Sequence, residues 1–182
     1  MVTNRRMSVS VEEYLALPDV KPYLEYFAGE VVQKVSPKRK HWRLASELAA
    51  ILNGYSKSNG GDSGPEPRIE ITSAGQTYYL LPDIAYWAPV KPLGDDETTL
   101  PPTLAVEIRS PGQTTASQRE KCRFYLQNGA DACWLVDPET RTVEVFEGRL
   151  DGARVALGDI LRSALLPGLE IDVQTLFAVL DR

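Results

Sequence analysis

Two carboxylates interrupt apolar stretches of the sequence. Asp83 lies in the run LLPDIAYWA (residues 80–88), and Glu107 lies in LAVEIRS (residues 104–110). An ionised carboxylate inside a sheet is costly unless it is paired, hydrogen-bonded or bound to a cation, so both residues need partners. An aspartate directly after proline is also common in turns, which is the simpler interpretation of Asp83.

The two acids belong to strands that are predicted to follow each other along the chain, so they can converge at one edge of a sheet. Convergent carboxylates repel each other, and a divalent cation offsets the repulsion. Oxygen ligands select Mg²⁺ or Mn²⁺, and such an ion assists phosphodiester hydrolysis by polarising a phosphoryl oxygen and lowering the pKa of bound water. The alternative is two unrelated strand-end acids, each satisfied by backbone N–H groups or by an arginine such as Arg109.

Turn residues and hydrophobic periodicity predict the elements that position these acids. The first half of the chain has a helix over 11–17 behind a Ser10/Glu13 capping box, a hairpin around Ala28-Gly29, a helix from a Ser36-Pro37 start to about Ser56, and a loop NGGDSGPEP. Four strands follow, RIEIT, QTYYL, DIAYWA and TLAVEI, with the loop KPLGDDETTLPP before the last. The chain then has a helix from about Thr115 to Asn128, the strands ACWLVD and TVEVFE, and a mixed tail with a short helix after Asp172. This order predicts an α/β fold of mixed α+β character, with a central mixed sheet flanked by helices.

Composition limits the class of protein. The 182 residues, 43% hydrophobic and 25% charged, are typical of one soluble domain, and no run approaches the ~20 apolar residues of a membrane span. The N-terminus has two arginines without an apolar signal core, so a cytoplasmic location is the default expectation. A net charge of −5 argues against general coating of nucleic acid, although a local basic patch can hold phosphates. Cys122 and Cys133 fit neither a disulfide scaffold nor a zinc site.

Specific motifs also narrow the choice. The chain has no GxxxxGKS phosphate loop, no GxSxG nucleophile elbow and no His/Cys metal cluster, which excludes those enzyme classes.

Pro82-Asp83 followed by Glu107-Ile108-Arg109 resembles the PD-(D/E)xK signature of the restriction-endonuclease-like superfamily, with Arg109 at the usual lysine position. A longer ordered series is similar to the Uma family of putative restriction endonucleases: YLEYFAGEVV, Ser-Pro followed by His41, LLPDIAYW, LAVEIRSP, Lys121 with Tyr125, and NGADACWLVDP.

This resemblance runs from about Tyr23 to Pro138 and implies a restriction-endonuclease-like fold. We expect one domain over residues 1–182, with a core at about 23–147 and an accessory N-terminal helix and C-terminal tail. It also implies homodimers, a prediction with no sequence argument of its own.

The resemblance implies a set of site residues. In that family the lysine lies in the helix after the glutamate strand, which corresponds here to Lys121. Asp83, Glu107 and the backbone carbonyl of Ile108 would then hold Mg²⁺, which Mn²⁺ can replace, while Lys121 orients the attacking water or neutralises charge on the phosphate. A solvated helix lysine is the simpler interpretation of Lys121. Strand alternation places Arg109 on the same side as Glu107, where it is expected to pair.

Further residues follow from the same resemblance. Glu25 is expected to complete the metal site directly or through water, and it ranks above its neighbour Glu30; the alternative is an exposed hairpin carboxylate. His41 matches the family's helical histidine, with a purely structural role as the alternative. Asp137 is expected to be a turn residue. The basic residues around His41 form either a solvated face or a phosphate-binding ridge; they are Lys38, Arg39, Lys40 and Arg43.

The sequence therefore predicts a Mg²⁺-dependent endonuclease that acts on DNA and has no membrane segment. Two alternatives stay open. The first is a catalytically inactive nucleic-acid-binding or interaction module on the same fold, which the arginine at position 109 and the acidic net charge favour. The second is a hydrolase of another phosphate ester that uses the same site.

Overall fold

The fold is taken from a computed structural model that describes residues 7–94 and 99–182. The N-terminal arginines and residues 95–98 of the predicted KPLGDDETTLPP loop lie outside the described residues. The helices are α1 (Val11–Leu15), α2 (Arg39–Asn59), α3 (Thr115–Gln127) and α4 (Val173–Ala178), and a 3-10 turn spans Val179–Asp181. The strands are β1 (Met7–Ser8), β2 (Leu24–Phe27), β3 (Glu30–Gln33), β4 (Asp62–Pro65), β5 (Ile69–Ser73), β6 (Gln76–Leu80), β7 (Ile84–Trp87), β8 (Leu104–Ile108), β9 (Ala132–Asp137), β10 (Thr142–Glu147), β11 (Ala153–Val155), β12 (Ile160–Arg162) and β13 (Glu170–Asp172).

A six-stranded sheet has the order β11-β10-β9-β8-β7-β4. β8 and β9 run parallel, whereas the other neighbouring strands of this sheet run antiparallel. Helix α3 connects β8 to β9, as a parallel pair requires a crossover connection. The predicted central mixed sheet is therefore present.

The sheet is covered on both faces, so its central strands are buried on both sides. On one face, Leu48 and Leu52 of α2 pack in the same cluster as Val106 and Trp134. On the other face, Ala105 packs with residues of α3 and of the five-stranded sheet β1-β3-β2-β6-β5. Because side chains alternate along a strand, Glu107 of β8 shares the α3 face with Ala105.

The start of α2 differs from the prediction. The helix begins at Arg39 with Lys38 as N-cap, and it continues to Asn59 rather than ending near Ser56. The Ser36-Pro37 start is wrong because the chain is still extended at Lys38, with φ of −90° and ψ of 170°. The hairpin also continues past β3, since the backbone N–H of Lys34 donates to the Tyr23 carbonyl at 2.9 Å.

The predicted NGGDSGPEP loop contains strand β4, which pairs antiparallel with β7 in the register Ser63↔Tyr86. β4 is an edge strand, and an edge tolerates the Gly64-Pro65 pair that argues against a central strand. The tail also contains the two-stranded sheet β12-β13, which was not predicted. These strands have three residues each, too few for an alternating pattern to stand out.

Other local predictions are confirmed. The Ser10/Glu13 capping box forms, with contacts of 2.8 and 3.2 Å, although α1 ends at Leu15 rather than at position 17. The β2-β3 hairpin turns at Ala28-Gly29. Helix α3 ends at Gln127, and Gly129 follows it with φ of 103°, a conformation that favours glycine.

Candidate active site

Asp83 and Glu107 meet at one edge of the six-stranded sheet. β7 and β8 are antiparallel neighbours in which Ile84 pairs with Val106, and the Asp83 N–H donates to the Val106 carbonyl at 3.0 Å. Asp83 precedes β7, whereas Glu107 lies near the end of β8. Antiparallel pairing therefore brings them together, and their relative exposures are only 5% and 4%.

Asp83 is held by three donors. Its Oδ2 accepts a hydrogen bond from the Ile108 N–H at 2.7 Å and lies 3.0 Å from Nε2 of His41. Its Oδ1 accepts from Nζ of Lys34 at 2.9 Å. Burial alone would raise the pKa of Asp83, but Lys34 and His41 outweigh burial and hold that pKa well below its usual range. Asp83 is therefore an anion at neutral pH.

Glu107 faces α3. The hydroxyl of Tyr125 donates to its Oε1 at 3.0 Å, and Nζ of Lys121 lies 2.9 Å from the same oxygen. Burial raises the pKa of Glu107 and the negative charge of Asp83 adds to this effect, while Lys121 opposes it. The two acids thus occupy different electrostatic environments within one site.

Lys121 bridges two carboxylates. Its Nζ is 2.8 Å from Oε1 of Glu25 and 2.9 Å from Oε1 of Glu107. Burial alone would lower the pKa of Lys121, but Glu107 and Glu25 outweigh burial and raise it. Because its side chain is only 14% exposed, the interpretation of Lys121 as a solvated helix lysine is wrong.

Glu25 lies in the middle of β2, opposite Val32 of β3, and its side chain is buried. Besides Lys121, its Oε1 accepts a hydrogen bond from the Leu81 N–H at 2.9 Å. Glu30, the competing acid, lies at the turn end of the hairpin, paired with Phe27. The structure therefore brings Glu25 to Lys121 and Glu107.

The side chains of Asp83, Glu107, Lys121 and Glu25 line one cavity of about 560 Å³, which we call the main cavity. Asp83, Glu107 and Ile108 border it, so it is open to the three residues expected to bind a metal ion. Carboxylate and carbonyl oxygens suit a hard divalent cation, and the chemistry of this donor set fits Mg²⁺ or Mn²⁺. Within residues 7–94 and 99–182, however, no group of three His, Cys, Asp or Glu side chains is placed to hold a metal ion. Any such ion would rest on two protein carboxylates.

Lys34 is a site residue that the sequence analysis missed. Its Nζ contacts Asp83 Oδ1 and also donates to the Leu81 carbonyl at 2.8 Å. A signal was present in the hairpin: Glu25 is opposite Val32, and Lys34 is opposite Tyr23. Strand alternation therefore puts Glu25 and Lys34 on one face of the hairpin. Because Glu25 was a predicted site residue, Lys34 could have been predicted to face the same site.

Arg109 does not pair with Glu107. Its guanidinium makes two 2.9 Å hydrogen bonds to the carboxylate of Asp137. The expectation of a pair with Glu107 is wrong because β8 ends at Ile108, after which Arg109 reaches across to the end of β9. Asp137 also accepts from the N–H groups of Glu139 and Thr140, which is the predicted turn role.

The basic residues near His41 have different partners. Arg43 donates to the carbonyl oxygens of Val179 and Arg182 at 2.7 Å each, and Arg39 also donates to Arg182. Lys40 pairs with Glu139 at 3.0 Å. A groove of about 270 Å³ beside the main cavity is lined by Lys38, Arg39, Lys40, His41, Arg109, Pro111, Pro138 and Glu139. Arg39 and Arg43 thus both contact the C-terminal tail, and Lys38, Arg39 and Lys40 border the groove.

Comparisons with known proteins agree with this architecture. The family model Uma2, described as "Putative restriction endonuclease", matches residues 11–174. The crystal structure of a putative nuclease belonging to DUF820 from Anabaena variabilis superposes with a TM-score of 0.82 at 24% identity, covering 94% of this chain and 99% of that chain. At that identity, the likeness shows the fold.

A cryo-EM structure of a DrdV–DNA complex matches with a TM-score of 0.43 and 15% identity over 63% of this chain and 10% of that chain, a similarity too low to support an inference. No curated protein matches the chain significantly. In the described parts of the chain, no helix combines the length and the apolar character needed to cross a bilayer.

Proposed function

This chain belongs to the Uma2 family of putative restriction endonucleases, and we propose that it is a metal-dependent endonuclease that hydrolyses DNA phosphodiester bonds. One observation carries the proposal: Asp83 and Glu107, both buried, open into the same cavity, and Lys121 lies 2.9 Å from Glu107 within it. Burying three charged groups around a cavity is costly for stability alone, which favours a role in chemistry.

The metal ion would be Mg²⁺, replaceable by Mn²⁺, and its protein ligands would be Asp83, Glu107 and the Ile108 carbonyl. When bound, the ion would polarise a phosphoryl oxygen of DNA and lower the pKa of a water molecule. Asp83 suits this role because its carboxylate stays ionised at neutral pH. Tyr125 and Lys121 both contact Oε1 of Glu107, so Oε2 is the oxygen proposed to face the ion.

Lys121 would act on the reacting groups. As a buried cation, it can orient the attacking water or stabilise charge that develops on the phosphate. Glu25 would be a positioning residue, because it binds Nζ of Lys121 at 2.8 Å. His41 would position Asp83 through the 3.0 Å contact of its Nε2.

The DNA backbone would continue from the cavity into the neighbouring groove, where Lys38, Arg39 and Lys40 supply positive charge. His41 and the two cavities support this path, since His41 borders both the groove and the main cavity. Basic side chains on such a path would bind phosphates without reading sequence.

A homodimer is also part of the proposal, and molar mass from light scattering would test it.

The experiment is nicking of supercoiled plasmid in the presence of Mg²⁺ or Mn²⁺. Asp83→Asn and Lys121→Met are both expected to abolish cleavage, since each removes a charge from the reacting centre. Lys91→Met is the control, because Lys91 pairs with Asp131 at 2.8 Å away from this cavity. Cleavage that survives in both site variants would contradict the assignment.

A catalytically inactive binding module is the second candidate. The observation that favours it is the pairing of Asp83 with Lys34 and of Glu107 with Lys121, which already offsets the buried negative charge. DNA retention without cleavage, and without Mn²⁺ binding that depends on Asp83, would establish this alternative.

A further inference from the structure

Lys34 lies where the cation of the proposed site would have to act. Its Nζ is 2.9 Å from Oδ1 of Asp83, while the other oxygen, Oδ2, is taken by the Ile108 N–H and by His41. Oδ1 is therefore the oxygen of Asp83 that a metal ion would approach. A lysine ammonium and a divalent ion at the same oxygen repel each other strongly.

Lys34 also has somewhere to go. It lines both the main cavity of about 560 Å³ and a second cavity of about 230 Å³. Glu66 lines the second cavity, and its Oε1 is 3.8 Å from the Lys34 Nζ. A small rotation of the flexible lysine side chain would exchange Asp83 for Glu66 as its main partner.

We propose that Lys34 is an exchangeable counter-ion of Asp83: it occupies Oδ1 when no metal ion is bound and withdraws towards Glu66 when a divalent cation binds. This inference rests on the proposed function. It explains how a buried aspartate can stay ionised before the metal arrives. It also makes Lys34 a positioning residue that competes with the metal, in contrast to Lys121, whose partners are Glu25 and Glu107.

The charge of Lys34 supports the exchange. Its Nζ lies 2.9 Å from Oδ1 of Asp83 and 3.8 Å from Oε1 of Glu66, so either carboxylate can serve as its counter-ion. Lys91 provides a matched control for Lys34, because it has the same two kinds of partner away from the site. Lys91 donates to the carbonyl of Gly129 and to the carboxylate of Asp131 at 2.8 Å each, and its side chain is 20% exposed against 13% for Lys34.

The test is Mn²⁺ affinity, measured by titration calorimetry on the full chain without DNA. Lys34→Met is expected to bind Mn²⁺ about tenfold more tightly than wild type, because a competing charge next to the ligand is removed. Lys34→Arg keeps the charge and should bind as weakly as wild type, and Lys91→Met should leave the affinity unchanged. Lys34→Gln, which keeps a hydrogen-bond donor for Asp83, provides the same readout if the methionine variant folds poorly.

The outcomes separate this inference from the proposed function. Wild type that binds Mn²⁺ through Asp83, together with Lys34→Met and Lys34→Gln variants that bind equally or less tightly, would overturn the exchange and leave the nuclease proposal intact. Absence of Mn²⁺ binding in wild type and in both variants would overturn both. Binding that appears only in the Lys34 variants would show that Lys34 blocks the site without withdrawing, and would overturn the exchange.

Discussion

The ammonium group of Lys121 lies 2.9 Å from Oε1 of Glu107, so the lysine reaches the glutamate from the helix that follows the strand. Arg109, two residues after Glu107, is bound instead to Asp137. The position that holds lysine in the linear signature is thus structural in this chain, and the charge near Glu107 comes from α3.

Substitution of these two basic residues should therefore have different effects. We expect Lys121→Met to lower plasmid nicking by at least about 100-fold, because it removes a charge from the proposed reacting centre. Arg109→Met should lower stability and change nicking by less than about tenfold in protein that remains folded. Nicking rates, compared with urea unfolding of the same preparations, would check this. Equal losses of nicking in two folded variants would contradict it.

Tyr125→Phe tests the hydroxyl that supports Glu107. Burial, together with Glu107 and Glu25, raises the pKa of Tyr125 well above its usual value, so the hydroxyl stays protonated and donates. Its loss should lower the free energy of unfolding by about 1 to 3 kcal/mol, the usual cost of a buried hydrogen bond to a charged group. Tyr78→Phe is the control, since its hydroxyl makes only a 3.4 Å exposed contact. Equal small effects in urea unfolding would show that the Tyr125 bond contributes little.

Asp137→Asn should reveal an acid-dependent contribution to stability. Burial opposes ionisation of Asp137, but the hydrogen bond from Arg109 outweighs it, and the pKa lies below the ordinary 3.8. A depressed folded-state pKa contributes stability above the unfolded pKa, and that stability is lost as the pH falls through the folded one.

We therefore expect Asp137→Asn to cost about 2 kcal/mol at neutral pH, and the difference from wild type to shrink below pH 3.8. Urea unfolding across this pH range is the measurement. Asp181→Asn removes the corresponding exposed pair with Arg141 and should cost less. A difference that stays constant as the pH falls would argue against the Arg109 pair as its source.

Leu48→Ala tests the packing that holds α2, and with it His41, against the sheet. Leu48 is fully buried in the cluster that contains Val106 and Trp134. Its truncation should lower the free energy of unfolding by about 3 kcal/mol, and the exposed Ser46→Ala on the same helix should change it by less than about 0.5 kcal/mol. A loss below about 1 kcal/mol for Leu48→Ala in urea unfolding would mean that this contact contributes little to holding α2 on the sheet.

The convergence of the two buried carboxylates was predictable because both break a local pattern. Asp83 and Glu107 stand out as charges in apolar strands, and a strand alternates faces whatever lies around it. The sequence does not say what covers each face, so Lys34 was missed although its hairpin position was readable. The Arg109 pair failed for the same reason: alternation predicts a direction, but the end of β8 and the reach to Asp137 depend on tertiary structure. Strand β4 was missed because Gly64 and Pro65 are turn residues that an edge strand also tolerates.

The contacts of the site fall into two groups that differ in sequence separation. The first group lies within the unit formed by β8, α3 and β9, whose strands pair in parallel. Glu107, Lys121 and Tyr125 belong to one strand-helix-strand unit, and the contact from Tyr125 to Glu107 spans only 18 residues. The contact from Lys34 to Asp83 spans 49 residues. Closing the longer loop costs more entropy before any contact is gained, so we expect the glutamate half to assemble first during folding. In pulse-labelling hydrogen exchange, amides of β8, α3 and β9 should gain protection before those of β2 and β3. Asp83 and Lys34 would then pack against a unit in which Lys121 already contacts Glu107.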